Sequence, residues 1–159
     1  PAMLSVLPDG TIYVADTGSS SVDVFAPGST GPVDLVPPIA TIAGSNTGLS
    51  SPYGLWIDSN GNVWIVDDTT SGTGPYIYEF PANSFGNIAP ITTISGGNTT
   101  INNPGQVAID AQGYIYVANY GNSDILVFGP NANGNVAPVQ TITSTGPAIN
   151  SNDGIALVP

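Results

Sequence analysis

"PYGLWIDSNGNVWIVDD", residues 52–68, decides the fold because the chain repeats it. "PGQVAIDAQGYIYVANY" from Pro104 falls into the same frame, and so does "PAMLSVLPDGTIYVADT" from Pro1, at spacings of 51 and then 52 residues. A partial fourth copy, "NDGIALVP", occupies residues 152–159. Each unit closes on a related tail: "PPIATI" at 37–42, "GNIAPITTI" at 86–94 and "GNVAPVQTI" at 134–142. Self-similarity at this period belongs to architectures that lay one supersecondary unit against the next.

Each unit holds four short runs rich in β-branched and aromatic residues and bounded by Gly, Pro, Asn and Asp, the pattern of strands. The first runs are 3–7, 54–58, 106–110 and 154–158. The second are "TIYVAD", "NVWIVD" and "YIYVAN", starting at Thr11, Asn62 and Tyr114. The third are "SVDVF", "YIYEF" and "DILVF", ending at Phe25, Phe80 and Phe128, and the fourth is the tail itself. Between the first and second runs stand Asp9-Gly10, Asn60-Gly61 and Gln112-Gly113. The first two are dipeptides of two-residue hairpins, in which both turn positions take positive φ. The second run is apolar on both alternating faces, with Ile12 and Val14 on one and Tyr13 and Ala15 on the other, so it is expected between two packed layers. No stretch carries the helical period.

The expected fold is all-β: a β-propeller of four-stranded antiparallel blades, three of them plus one extra strand, in one repeat domain. The units run approximately 1–51, 52–103 and 104–151, with 152–159 opening a fourth. The first tail departs from the others, because "GPVDLVPP" at 31–38 lengthens its approach by three residues. Rings of this kind have about four to eight blades, so the expected partners are further blades or other copies of the chain. Such copies would form a closed pair or an open polymer joined by strand addition.

Charge narrows the function. The 159 residues include eleven acidic side chains and no Lys, Arg or His, a net charge of −11, with 41% hydrophobic residues. Nucleic acid and anionic membrane surfaces are excluded as partners, since both are bound through Lys and Arg. Without cysteine there are no disulfides, thiolate metal sites or Cys nucleophile. Ser-His-Asp and Lys-based catalysis and His-bound metals are removed in the same way. No apolar run reaches the roughly 20 residues of a membrane helix and no basic-then-apolar leader is present, so a mature, processed or truncated soluble chain is expected. Polar, uncharged loops without a trypsin-type cleavage site suit an extracellular or cell-surface location.

Among the remaining groups, Asp58 and Asp110 recur by unit and are the candidate Ca²⁺ ligands, calcium being the one cofactor the residues permit. The competing reading is that they end strands and accept hydrogen bonds from turn amides, and the set Asp16, Asp67 and Asn119 is read that way. "DSNGN" at 58–62 resembles the opening of a calcium loop but lacks its further acids and closing Glu, so it reads as a turn. Trp56 replaces the small residues Ser5, Ala108 and Ala156; with Tyr53 or Tyr120 it would offer a sugar-stacking surface, or else it simply packs. Glu79 shares a column with Val24 and Val127 and marks a solvated outer strand. Asn98-Thr99-Thr100 is an N-glycosylation sequon, and loops rich in Ser, Thr and Pro permit O-glycans. No residue is assigned to catalysis.

"GLWIDSNGNVWIVDD" and "GQVAIDAQGYIYVAN…DILVF" are similar to NHL-type repeats, in their 50-residue variant from secreted bacterial proteins. That pattern is a glycine, an apolar strand ending in Asp, a short turn with Gly, an "IYVAD" strand and a strand ending in Val-Phe. The first unit keeps the second half of it and lacks the leading Gly and the strand-terminal Asp. The resemblance implies a propeller. It also implies protein or RNA recognition, metal-dependent hydrolysis or lyase chemistry, or extracellular scaffolding. RNA-binding members use basic faces, and enzymatic relatives generally rely on His or Arg with calcium or zinc; this chain has neither residue. The expectation is therefore a non-catalytic extracellular structural or interaction module, a subunit or segment of a secreted or surface assembly, filamentous and glycosylated. The alternative is a Ca²⁺-dependent hydrolase or lyase, or a carbohydrate-binding propeller, using channel-mouth carboxylates.

Overall fold

A computed structural model of the chain describes residues 1–31, 36–69, 74–143 and 154–157. Parts of the loops at 31–38 and 67–76, and of the fourth copy at 152–159, lie outside these residues. The strands fall into three groups of four. The first is β1 (Met3–Val6), β2 (Ile12–Asp16), β3 (Ser21–Phe25) and β4 (Ala40–Ile42). The second is β5 (Pro52–Ile57), β6 (Val63–Asp67), β7 (Tyr76–Phe80) and β8 (Thr92–Ile94). The third is β9 (Pro104–Ile109), β10 (Ile115–Asn119), β11 (Asp124–Phe128) and β12 (Gln140–Thr143). Each group is an antiparallel meander in chain order. Strands β1, β5 and β9 run side by side as the inner strands of successive blades.

Period-two apolar patterning on both faces explains the stacking. Tyr13, Ala15, Val22 and Val24 of the first blade meet Leu55, Val63, Ile65 and Phe80 of the second in one buried cluster. Trp64, Val66 and Ile77 from the other face of the second blade meet Val107, Ile115, Val117 and Phe128 of the third. Every residue of β6 is consequently buried. Each fully buried side chain of this type contributes roughly 1.5–3 kcal/mol. The inner strands approach so closely that a Cβ on Gly54 would lie 2.5 Å from the Gly105 carbonyl oxygen.

The turns between the first two strands differ from the expected two-residue hairpins. Val6 pairs with Ile12, the Leu7 amide donates to the Thr11 carbonyl and the Gly10 amide to the Leu7 carbonyl, which leaves a three-residue loop. Only the glycine takes positive φ, at 89° for Gly10, 83° for Gly61 and 84° for Gly113. The preceding residue is under no such demand, so Gln112 serves as well as Asp9 or Asn60.

The recurring tail does its work in the neighbouring blade. The Gly86 amide donates to the Thr41 carbonyl at 2.7 Å, and Ala43 donates back to Gly86 at 3.2 Å. Asn87 Oδ1 then accepts the Asn46 amide at 2.7 Å, and Asn46 Nδ2 donates to the Asn87 carbonyl at 3.4 Å. The next interface repeats it: Gly134 to Thr93 at 2.7 Å, and the Asn98 amide to Asn135 Oδ1 at 2.8 Å. Gly44, at φ 121°, and Gly96, at φ 105°, make room for it, since a Cβ there would lie 2.5 Å from Asn87 and 2.7 Å from Asn135 respectively. "Gly-Asn" is thus a latch laid across the outer strand of the blade before it.

Candidate functional site

The last residues of the second strands organise the loops that lead into the inner strands. Asp67 is fully buried, and its carboxylate accepts amides from Ser50 at 2.7 Å, Ser51 at 3.0 Å and Thr69 at 3.2 Å. Burial pushes the Asp67 carboxyl above its ordinary value of 3.8, outweighing these donors. Asn119 holds the same place in the third blade, accepting the Asn102 amide at 2.6 Å and donating to Asp124 Oδ1 at 2.7 Å. The Gly121 amide donates to the Asn102 carbonyl at 3.0 Å, which seats the 3-10 turn Tyr120–Asn122 against that loop.

These anchors shape a cavity of about 290 Å³ between the second and third blades, lined by Tyr53, Asp68, Asn103, Pro104, Gly105 and Tyr120. Asp68 and Tyr120 are equivalent positions of adjacent blades, as are Tyr53 and Gly105, where the glycine leaves the space that a second ring would fill. Tyr53 is 39% exposed and offers its ring to solvent. Burial first, and the Asp67 charge second, push the Asp68 carboxyl above 3.8. Two phenol rings, one carboxyl and no cation suit a neutral, hydroxyl-rich ligand with a flat face.

The blades are those of a β-propeller. A solved structure of a streptogramin B lyase superposes with a TM-score of 0.58 at 14% identity, covering 91% of this chain and 41% of that one. A protein of unknown function from Bacteroides caccae matches with a TM-score of 0.58 at 13% identity, covering 90% of this chain and 45% of that one. The chain therefore spans less than half the length of these propellers. No protein-family profile matches the chain, so the NHL family is not established for it. No curated protein matches it either. The expectation of a chain without catalysis is corrected by the lyase, a propeller enzyme. The missing His, Arg, Lys and Cys remove particular chemistries, not catalysis as a class.

The structure brings Asp58 and Asp110 to one groove of about 510 Å³ at the opposite ends of their strands, with Glu79. Asp58 Oδ1 accepts the amides of Asn60 at 2.8 Å and Asn62 at 2.9 Å, and Oδ2 accepts Asn62 Nδ2 at 3.2 Å and Trp64 Nε1 at 3.1 Å. Asp110 accepts the Gln112 and Tyr114 amides at 2.9 Å and the Tyr116 hydroxyl at 3.1 Å. Glu79 accepts Asn62 Nδ2 at 2.9 Å and the Thr92 hydroxyl. These oxygens face donors, and among the described residues no three His, Cys, Asp or Glu side chains are grouped for a metal. The set does not fit Ca²⁺, which takes six to eight oxygen ligands.

Trp56 is half-buried against the cluster between the second and third blades and does not line the cavity that Tyr53 and Tyr120 share. Its Nε1 is buried without a hydrogen-bond partner. Asn98 is exposed, but its Nδ2 donates to the Asn135 carbonyl at 3.3 Å, and the Thr99 hydroxyl donates to Gly96 at 2.7 Å. Asn46 and Thr47 repeat both contacts, so the Asn-Thr pair is explained by the latch without a glycan. Sequence reasoning passed over Asp68 and Asn103. The doubled acid of "IVDD", where the other units read "VADT" and "VANY", was the available signal for Asp68.

Proposed function

We propose that the chain supplies blades to an extracellular propeller that acts as a recognition module, binding a neutral carbohydrate-type ligand at the mouth between the second and third blades. The observation that carries this is the convergence of Tyr53, Asp68 and Tyr120, from two blades, on one cavity. A net charge of −11 without a single cationic side chain disfavours anionic ligands there, and uncharged polar loops support a secreted location. A titration of neutral oligosaccharides followed by tyrosine and tryptophan fluorescence tests it. Tyr53→Ala and Tyr120→Ala should each weaken binding about tenfold, for the loss of one stacking ring at roughly 1.5 kcal/mol. Absence of binding, or binding indifferent to both changes, overturns the reading.

A second reading rests on Asp68. A carboxyl raised by burial beside two phenols is suited to proton transfer, and lyase chemistry needs such a group. Asp68→Asn tests it: turnover should be lost while ligand still binds, and turnover unchanged by the substitution overturns this reading.

A further inference from the structure

The second blade interface cannot make a bond that ties the first. Thr17, which follows β2, donates its hydroxyl to the Pro52 carbonyl of the second blade at 2.6 Å. One blade on, Asp68 stands in the place of Thr17, and Pro104 in that of Pro52. An ionised carboxylate has no proton to give a carbonyl, so the tie is lost, and both residues line the cavity instead.

Asp68 also stands apart from the other carboxylates. Every other one among the described residues accepts a hydrogen bond from the protein, from Asp9, held by the Thr11 amide, to Asp124, held by Asn119 Nδ2; Asp68 accepts none. Asn103, in the place of Ser51, lines the same cavity from the third blade. It is exposed at φ 47°, a left-handed conformation open to Asn, and among the described residues its side-chain amide has no hydrogen-bond partner. Its neighbour Asn102 is held, donating to Asn122 Oδ1 at 2.9 Å. Tyr53 sits where the register of β5 against β6 slips, between Pro52 and Leu55, and such a bulge re-aims a side chain out of the ladder. Two blades therefore bring a carboxylate, an amide and two rings to one cavity, with neither the carboxylate nor the amide spent on the protein.

This arrangement selects among neutral ligands. An ionised carboxylate offers two oxygens side by side and only accepts, so a pair of adjacent hydroxyls satisfies both oxygens at once. An amide beside it can donate to an oxygen of the same pair. We infer, as a deepening that rests on the carbohydrate reading above, that the site recognises a vicinal diol of a pyranose. The two hydroxyls donate to Asp68, Asn103 donates to one of them, and Tyr53 and Tyr120 take the flat face of the ring. A ring without free adjacent hydroxyls leaves the carboxylate desolvated and unpaired, and is rejected.

Calorimetric titration with cello-, malto-, manno- and galactotetraose, each native and fully O-methylated, tests this, because methyl ethers keep the ring and lose the donors. At least one native sugar should bind, and methylation should weaken it about tenfold or more. Asp68→Ala and Asn103→Ala should each weaken the native sugar and make no further difference to the methylated one, whereas Tyr53→Ala weakens both. Asp68→Thr should restore at Pro104 the tie that Thr17 makes to Pro52, so that the melting temperature rises while binding is lost. Binding that survives methylation or Asp68→Thr, yet falls with Tyr53→Ala, overturns the diol and leaves the carbohydrate reading standing. Binding of none of the sugars, or binding indifferent to Tyr53→Ala, overturns both.

Discussion

Asp67 and Asn119 close the same loop with different chemistry, and the difference is measurable. Because the folded Asp67 carboxyl lies above 3.8, the folded chain holds that proton more tightly than the unfolded chain. The stability tied to it is present at low pH and is lost as pH rises through the folded pKa. Urea denaturation of wild type and Asp67→Asn at about pH 7, 5.5 and 4 should show the variant-minus-wild-type difference moving in the variant's favour as pH rises. Asp58 holds its turn as an acceptor, taking hydrogen bonds from the Asn60 and Asn62 amides, Asn62 Nδ2 and Trp64 Nε1. Asp58→Ala should destabilise by about 2–3 kcal/mol in the same assay. Calcium at about 1 mM should leave the wild-type melting temperature unmoved, because among the described residues no three carboxylates are grouped to supply the many oxygens it takes.

At the level of the element, the latch depends on a close approach. Gly96→Ala places a methyl group within 2.7 Å of Asn135 at φ 105°, and should cost about 1–3 kcal/mol by thermal or urea melting. Adding Asn135→Ala removes the colliding group, so the double variant should lose less than the sum of the single losses. The strands were legible because two apolar faces per strand leave little choice of layer. The turns were half legible: Gly fixed the positive φ, but its neighbour carried no information about loop length. The latch was not legible, since Asn46 and Asn87 are 41 residues apart and nothing local marks either as a partner. For the cavity, the sequence named Tyr53 and Tyr120 only as companions of Trp56, which packs elsewhere. Asp68 was not legible, because its perturbation comes from burial beside Asp67, which exists only once the loops are folded.

At the scale of the molecule, a single sign of charge sets how the fold responds to its solvent. Eleven carboxylates repel one another with no side-chain cation to offset them. Raising NaCl from about 0.01 to 0.5 M should lift the melting temperature by a few degrees, and calorimetry at fixed protein concentration reads it. A melting temperature that falls with salt would mean that attractive charge contacts hold the blades together, contrary to the apolar clusters described above.

The latch has a genealogical consequence. Residues 52–103 carry both halves of it, Gly86-Asn87 reaching backward and Gly96 to Thr99 receiving from ahead. A unit of this length excised in frame and copied in tandem therefore arrives with a donor for its predecessor and a receptor for its successor. Blade number can change by recombination without any interface being invented anew.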